Sequence, residues 1–266
     1  MPVSIGVFLP TSGPHHIGGA EIRAAARAAE DAGLESLWAT DHLIASQPML
    51  DSTVALTTAA AVTDRINIGF GAMLVALRPV AWAAKQVATL QQLSGNRVLL
   101  GIGTGNPAHG DIGWRAAGVP FAERGLRTDR ALTHLPALIS GDPAPLADDL
   151  HPVLSPPSPV PPILIAGNSS RARARAAAHG DAWMPIDPAP ADLPALLTDL
   201  KTRAAQHNRP TPTITIVAPT LPADPRAAAD HLAAYESAGV TRVILSPTAE
   251  DGRTDYAYAA ALRAAQ

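Results

Sequence analysis

The sequence predicts an α/β protein: a closed (β/α)8 barrel formed as one domain over residues 1–266. Eight short apolar runs alternate with Ala-rich helical stretches, the rhythm of βα units around a parallel sheet. A length of 266 residues suits one such barrel. The run Val98 to Leu100 passes directly into Gly101, Gly103 and Gly105. That reads as a buried parallel strand ending in a loop whose backbone can approach a ligand closely.

The strands are expected at 5–9, 36–39, 67–72, 98–101, 163–166, 182–184, 214–218 and 243–246. Helices fit between them at 20–32, 50–62, 80–93, 122–140, 170–179, 193–206, 226–238 and 255–264. Asp51 can cap the second helix by accepting from its free N–H groups. Pro79 suits a first-turn position, where no N–H is needed. Asp224-Pro225 combines an N-cap with a preset φ. Gly33, Gly180 and Gly239 each follow a helix and suit left-handed caps. Residues 141–162 carry eight prolines, which forbid a helix interior or a central strand. That stretch is expected to be an extended surface connection.

Composition excludes several functions. The net charge is −3 and no dense basic run occurs, so no nucleic-acid footprint is visible. There is no cysteine, which removes disulfides, thiolate nucleophiles and Cys-ligated metals. No apolar run reaches the length of a membrane span. The N-terminal residues lack the basic and apolar regions of a signal peptide, so a cytoplasmic location is expected.

Four strand ends carry candidate chemistry, because polar residues at the C-terminal face of a barrel point at the active site. After the second strand, Asp41-His42 pairs a carboxylate with an imidazole that can move protons near neutral pH. A helix cap beside a surface histidine is the plainer reading. After the third, Gly69-Phe-Gly-Ala-Met73 marks either a bulge or a tight barrel wall. After the fourth, Gly103-Thr-Gly-Asn106-Pro-Ala-His109 is a glycine-rich turn without dinucleotide-fingerprint spacing. After the fifth, Ile163-Leu-Ile-Ala-Gly167-Asn-Ser-Ser170-Arg171 opens a helix. Its free N–H groups, serine hydroxyls and arginine suit a phosphate, or the serines simply cap. His15-His16 lies in a loop at the same face and is expected either in contact with substrate or solvated. No set of His, Asp and Glu spacings completes a metal site. The remaining histidines are expected on the surface or in structural roles.

The segment from Arg78-Pro79 through Ser94-Gly95-Asn96-Arg97 to Gly105-Asn106 resembles the hallmark of the bacterial-luciferase-like family of flavin- and deazaflavin-dependent oxidoreductases. Further matches are Ala-Glu30-x-Ala-Gly33 leading to Trp38, Gly118-Val-Pro-Phe-Ala-Glu-Arg124-Gly125, Gly180-Asp-Ala-Trp183 and Ala238 to Leu245. The resemblance implies a TIM barrel with a reduced insertion, binding its cofactor at the strand C-termini. It implies that His42 borders the reactive ring with Asp41 as orienting partner, and that His109 touches the ring. It implies a cis peptide between Gly71 and Ala72 supporting the ring, with Gly103, Thr104, Gly105 and Asn106 beside it. It implies that Ala166, Gly167, Asn168, Ser169, Ser170 and Arg171 clamp the cofactor phosphate.

By that resemblance the expected activity is hydride transfer between deazaflavin coenzyme F420 and a small organic substrate. The resemblance also implies a homodimer. One sugar-phosphate branch of the family has a catalytic Glu where Asn106 stands, and Asn106 cannot transfer a proton. The rival readings are an FMN-dependent monooxygenase, a non-catalytic flavin-binding paralogue, and an unrelated phosphate-handling barrel. The last predicts its phosphate after strands seven and eight, where residues 246–252 show little of that signature.

Overall fold

Eight strands run parallel in sequence order: β1 (Ser4–Phe8), β2 (Ser36–Ala39), β3 (Asn67–Met73), β4 (Val98–Ile102), β5 (Ile163–Ala166), β6 (Ala182–Met184), β7 (Thr213–Val217) and β8 (Val240–Leu245). β8 pairs back onto β1, Ser4 opposite Arg242, and closes the barrel. The computed structural model describes residues 2–13, 18–246 and 256–266. His15, His16 and residues 247–252 of the last loop lie outside them.

The helices are α1 (Gly19–Asp31), α2 (Ser52–Ala60), α3 (Val80–Ser94), α4 (Ile112–Ala116), α5 (Arg124–Ser140), α6 (Ser170–His179), α7 (Leu193–Gln206), α8 (Pro225–Ser237) and α9 (Tyr256–Ala265). The short α4 breaks the simple βα alternation and was not expected. β8 begins three residues earlier than expected, and α2 stops short of 62.

Two apolar layers hold these elements. One lies between strands and helices and includes Val7, Leu37, Ile68, Leu100 and Ile216. The other fills the barrel interior with Phe8, Trp38, Leu99, Leu164, Met184 and Ile244. The alternation of side chains along each strand sends neighbouring residues to opposite layers. Trp38 is fully buried, and its Nε1 donates to Ser36 Oγ at 2.7 Å. Its bulk explains Gly69, where an added Cβ would lie 2.4 Å from the indole.

The helix ends follow local chemistry. Asp51 accepts from the Val54 N–H and Asp224 from the Ala227 N–H, as expected. Gly33 and Gly239 adopt left-handed φ values of +70° and +92°. Gly180 does not: its φ is −93°, and a Cβ there would stand 3.1 Å from the carbonyl oxygens of Ala176 and Ala182, a tight fit. Pro79 is the N-cap of α3 rather than its first helical residue. In the proline-rich stretch 141–162, Ala147 and Leu150 close a tight antiparallel turn, and residues 155–159 lie against α3. Lys85 Nζ, Gln91 Nε2 and Gln92 Nε2 donate to the carbonyls of Ser155, Pro159 and Pro157, replacing the ladder that prolines cannot form. Among the described residues, no helix is long and apolar enough to cross a membrane.

Candidate active site

A cleft of about 1090 Å³ opens at the C-terminal ends of the strands. Its floor is backbone and small side chains. The Gly71–Ala72 peptide bond is cis, and the β3–β4 register shifts between Phe70 and Met73. The bulge expected from Gly69-Phe-Gly-Ala-Met73 is therefore present. Across β4, Gly103 continues the floor. A Cβ added there would stand 3.4 Å from the Ala72 Cβ and 3.9 Å from that of Ala166. Gly105 holds φ +78° and passes over the ring edge of Trp114, where a Cβ would come within 2.9 Å. Glycine is required there by both conformation and space.

His42 follows β2 and His109 ends a short 3-10 turn, Pro107–His109, after β4. Their rings meet edge to face at one side of the cleft, centroids 5.0 Å apart. Burial, then the charge of His109, push the His42 pKa below 6.5, with Asp41 pulling the other way. His42 is thus neutral at neutral pH and able to accept a proton. Asn106 and Thr104 line the same side. Asn106 Oδ1 accepts from the Ala108 N–H, which fixes the turn that presents His109.

Asp41 does not orient His42. Its carboxylate accepts from Arg78 Nη1 and Nη2 at 3.0 and 3.1 Å, from the Leu74 N–H at 2.8 Å, and from Ser52 Oγ at 3.2 Å. The Asp41 side chain is 2% exposed. The reason is geometric: β2 and β3 are neighbours, so the loop after β2 falls against the chain leaving β3. Asp41 fastens the His42 loop to the end of the bulged strand.

At the opposite end, α6 points its N-terminus into the cleft. Ser169 caps it, accepting from the Ala172 N–H at 3.1 Å, and lines the cleft with Ala166, Gly167 and Arg171. Capping leaves the N–H groups of Ser170 and Arg171 without helical partners. Two expectations fail here. Ser170 Oγ turns outward to accept from Arg203 Nη2. The Asn168 side chain is occupied by Ile186, donating to its carbonyl and accepting from its N–H, so only the backbone of Asn168 remains for a ligand. That pair ties the β5 loop to the β6 loop.

The start of α5 completes this end. Arg124 lies 3.9 Å over the Phe121 ring and donates to the Phe121 carbonyl. Arg175 pairs with Asp129 and also donates to the Gly125 carbonyl. Sequence reasoning assigned these residues no role. Arg124-Gly125 stood inside a recognised segment, Ile186 follows β6 and Val217 ends β7, so position alone could have found them. Asp129 and Arg175 sit on different helices 46 residues apart and leave no local pattern. Among the described residues, no group of three His, Asp or Glu could hold a metal ion.

Residues 3–266 match the model of the luciferase-like monooxygenase family. The chain belongs to that family. Within 62% of its length, this family member is 32% identical to an uncharacterized protein of Mycobacterium tuberculosis, over 58% of that protein. It is 30% identical to the F420-dependent hydroxymycolic acid dehydrogenase of the same organism, over 60% of this chain and 47% of the relative. The chain thus spans about half the length of these curated relatives. An F420-dependent secondary alcohol dehydrogenase, solved with an F420-acetone adduct, shares the fold at TM-score 0.82 and 15% identity, covering 98% of this chain and 97% of its own.

Proposed function

We propose that this luciferase-like chain is an oxidoreductase that moves a hydride between deazaflavin coenzyme F420 and a small organic substrate. The observation that carries the reading is one continuous cleft. It joins the edge-to-face His42–His109 imidazole pair, a Gly71–Ala72–Gly103 floor and a helix start bearing free N–H groups. Similarity to the F420-dependent hydroxymycolic acid dehydrogenase supports the choice of deazaflavin.

The residues fit such a group. A planar ring needs a floor without side chains, and a Cβ at Gly103 would crowd it. A phosphate needs donors, and Ser169, the N–H groups of Ser170 and Arg171, and the Arg171 guanidinium provide them. When bound, the deazaflavin supplies or accepts the hydride, and the protein supplies orientation and electrostatics.

The remaining work falls to side chains. His42 is held neutral by burial, so it accepts the proton released as an alcohol is oxidised and returns it in reverse. His109 braces the His42 ring edge to face. Asp41 and Arg78 fix the loop that carries His42. Leu74 and Trp114 wall an apolar recess beside the two imidazoles.

The test is the absorbance spectrum and mass of the cofactor that copurifies from a host making both F420 and FMN. Deazaflavin is the expected result. FMN alone would replace this reading with the flavin monooxygenase.

A further inference from the structure

The turn between β5 and α6 sorts its polar groups by direction. The N–H groups of Asn168, Ser169, Ser170 and Arg171 have no hydrogen-bond partner among the described residues. The carbonyls of the same stretch are all taken. Trp183 Nε1 donates to that of Gly167 at 2.8 Å and Arg173 Nη1 to that of Asn168 at 3.2 Å. The Arg173 N–H donates to that of Ser169 at 3.2 Å, the first helical bond of α6. Gly167, Asn168 and Ser169 line the cleft, whereas Trp183, fully buried, and Arg173 stand outside its lining. The holders are themselves fixed. Arg173 lies 5.7 Å over the Trp183 ring and gives its Nε to one oxygen of Asp199 at 2.7 Å, and Arg203 binds the other oxygen at 2.7 Å.

A trans peptide is planar, with its C=O and its N–H on opposite sides. A donor that holds one carbonyl away from the cleft therefore turns the next residue's N–H towards it. Trp183 sets the Asn168 N–H in this way, Arg173 sets that of Ser169, and the first helical bond sets that of Ser170. Successive N–H groups that converge like this form an anion-binding concavity. The first peptide most needs an outside hold. Gly167 stands at φ +120° without a Cβ, so its own conformation does little to stop the peptide turning over. Resting on the phosphate position argued above, we propose that Trp183 and Arg173 are positioning residues for the cofactor phosphate. They aim the Asn168 and Ser169 N–H groups at it and do not touch it themselves. Without the indole N–H, the Gly167–Asn168 peptide is free to turn and present a carbonyl to the phosphate in place of a donor.

The test compares ligands with and without the phosphate: FMN against riboflavin, and F420 against its phosphate-free deazaflavin ring. Fluorescence titration gives each pair's affinity ratio for wild type, Trp183→Phe and Arg173→Lys. Trp183→Phe keeps an aromatic ring and loses the donor. Arg173→Lys keeps the charge beside Asp199 but lacks the second arm of the fork, which reaches Asn168. Each variant is expected to cut the phosphate preference about tenfold, the scale of a hydrogen bond to a charged group, with the phosphate-free rings binding within about twofold of wild type. A merely structural role would weaken both members of a pair equally. That result, or an unchanged preference in either folded variant, overturns the proposal. If Trp183→Phe does not fold, Arg173→Lys decides it at the neighbouring peptide. No phosphate preference in the wild type overturns the phosphate position and this proposal with it. FMN bound without F420, with a preference that the variants lose, overturns the deazaflavin reading and supports the proposal.

Discussion

Arg78 grips both carboxylate oxygens of Asp41, at 3.0 and 3.1 Å, across the seam between the loops that leave β2 and β3. The same carboxylate accepts from the Leu74 N–H, so one buried group joins the His42 loop to the strand carrying the cis peptide. Arg78→Met leaves that carboxylate buried with two neutral donors. Breaking a buried pair typically costs about 3–5 kcal/mol, and Arg78 is partly exposed, so a loss near 3 kcal/mol is expected. Urea unfolding measures it. A loss under about 1 kcal/mol would class the pair with ordinary surface bridges.

The His42–His109 contact predicts a pH dependence of known sign. His42 binds its proton more weakly in the native state than in the unfolded chain, chiefly through burial. As pH falls below about 6.5, the unfolded state takes up that proton first, so His42 lowers stability on the acid side and not above. His179, also lowered mainly by burial, adds to the same slope. His109→Ala removes both a like charge and cover, so the His42 titration midpoint seen by NMR should rise. An unchanged or lower midpoint would show that His109 does not act on His42.

Ser169 and Ser170 are adjacent but point to different neighbours. Ser169→Ala should lower stability by about 1 kcal/mol through the lost cap. It should also weaken F420 binding about tenfold, the scale of a hydrogen bond to a charged group. Ser170→Ala loses only an exposed contact with Arg203 and should leave both values near wild type. Fluorescence titration of the two variants separates them. Equal losses would put the phosphate against both hydroxyls.

Two glycines of β4 and its loop should respond differently to alanine. At Gly101 a Cβ would stand 2.1 Å from the Phe70 carbonyl oxygen, so Gly101→Ala should fail to fold. At Gly103 the nearest atom is 3.4 Å away, so Gly103→Ala should fold. Its methyl would rise from the cleft floor and weaken cofactor binding. Circular dichroism and a cofactor titration check the pair, and wild-type affinity in Gly103→Ala would remove the ring from that floor.

The barrel was legible because its signals are local. Strand 163–166 and helix 170–179 lie where the apolar run, the glycine turn and the serine cap put them. The bulge in β3 was legible because a strand with two glycines packs poorly unless something large or close needs the space, here Trp38. What failed was side-chain direction. Asp41 sits beside His42 in sequence, yet its partner Arg78 is 37 residues away and meets it only once β2 and β3 pair. Asn168 reads as a ligand donor until the β6 loop brings Ile186 against it, 18 residues on. Residue type and strand position located the cleft, but only tertiary neighbours decided which groups were already occupied.

The central claim is that this cleft is built for a deazaflavin. Parallel equilibrium titrations of the purified protein with F420 and with FMN, followed by fluorescence quenching, test it most directly. The account predicts saturable F420 binding at least about tenfold tighter than FMN, a difference of about 1.4 kcal/mol. Tighter binding of FMN would contradict it.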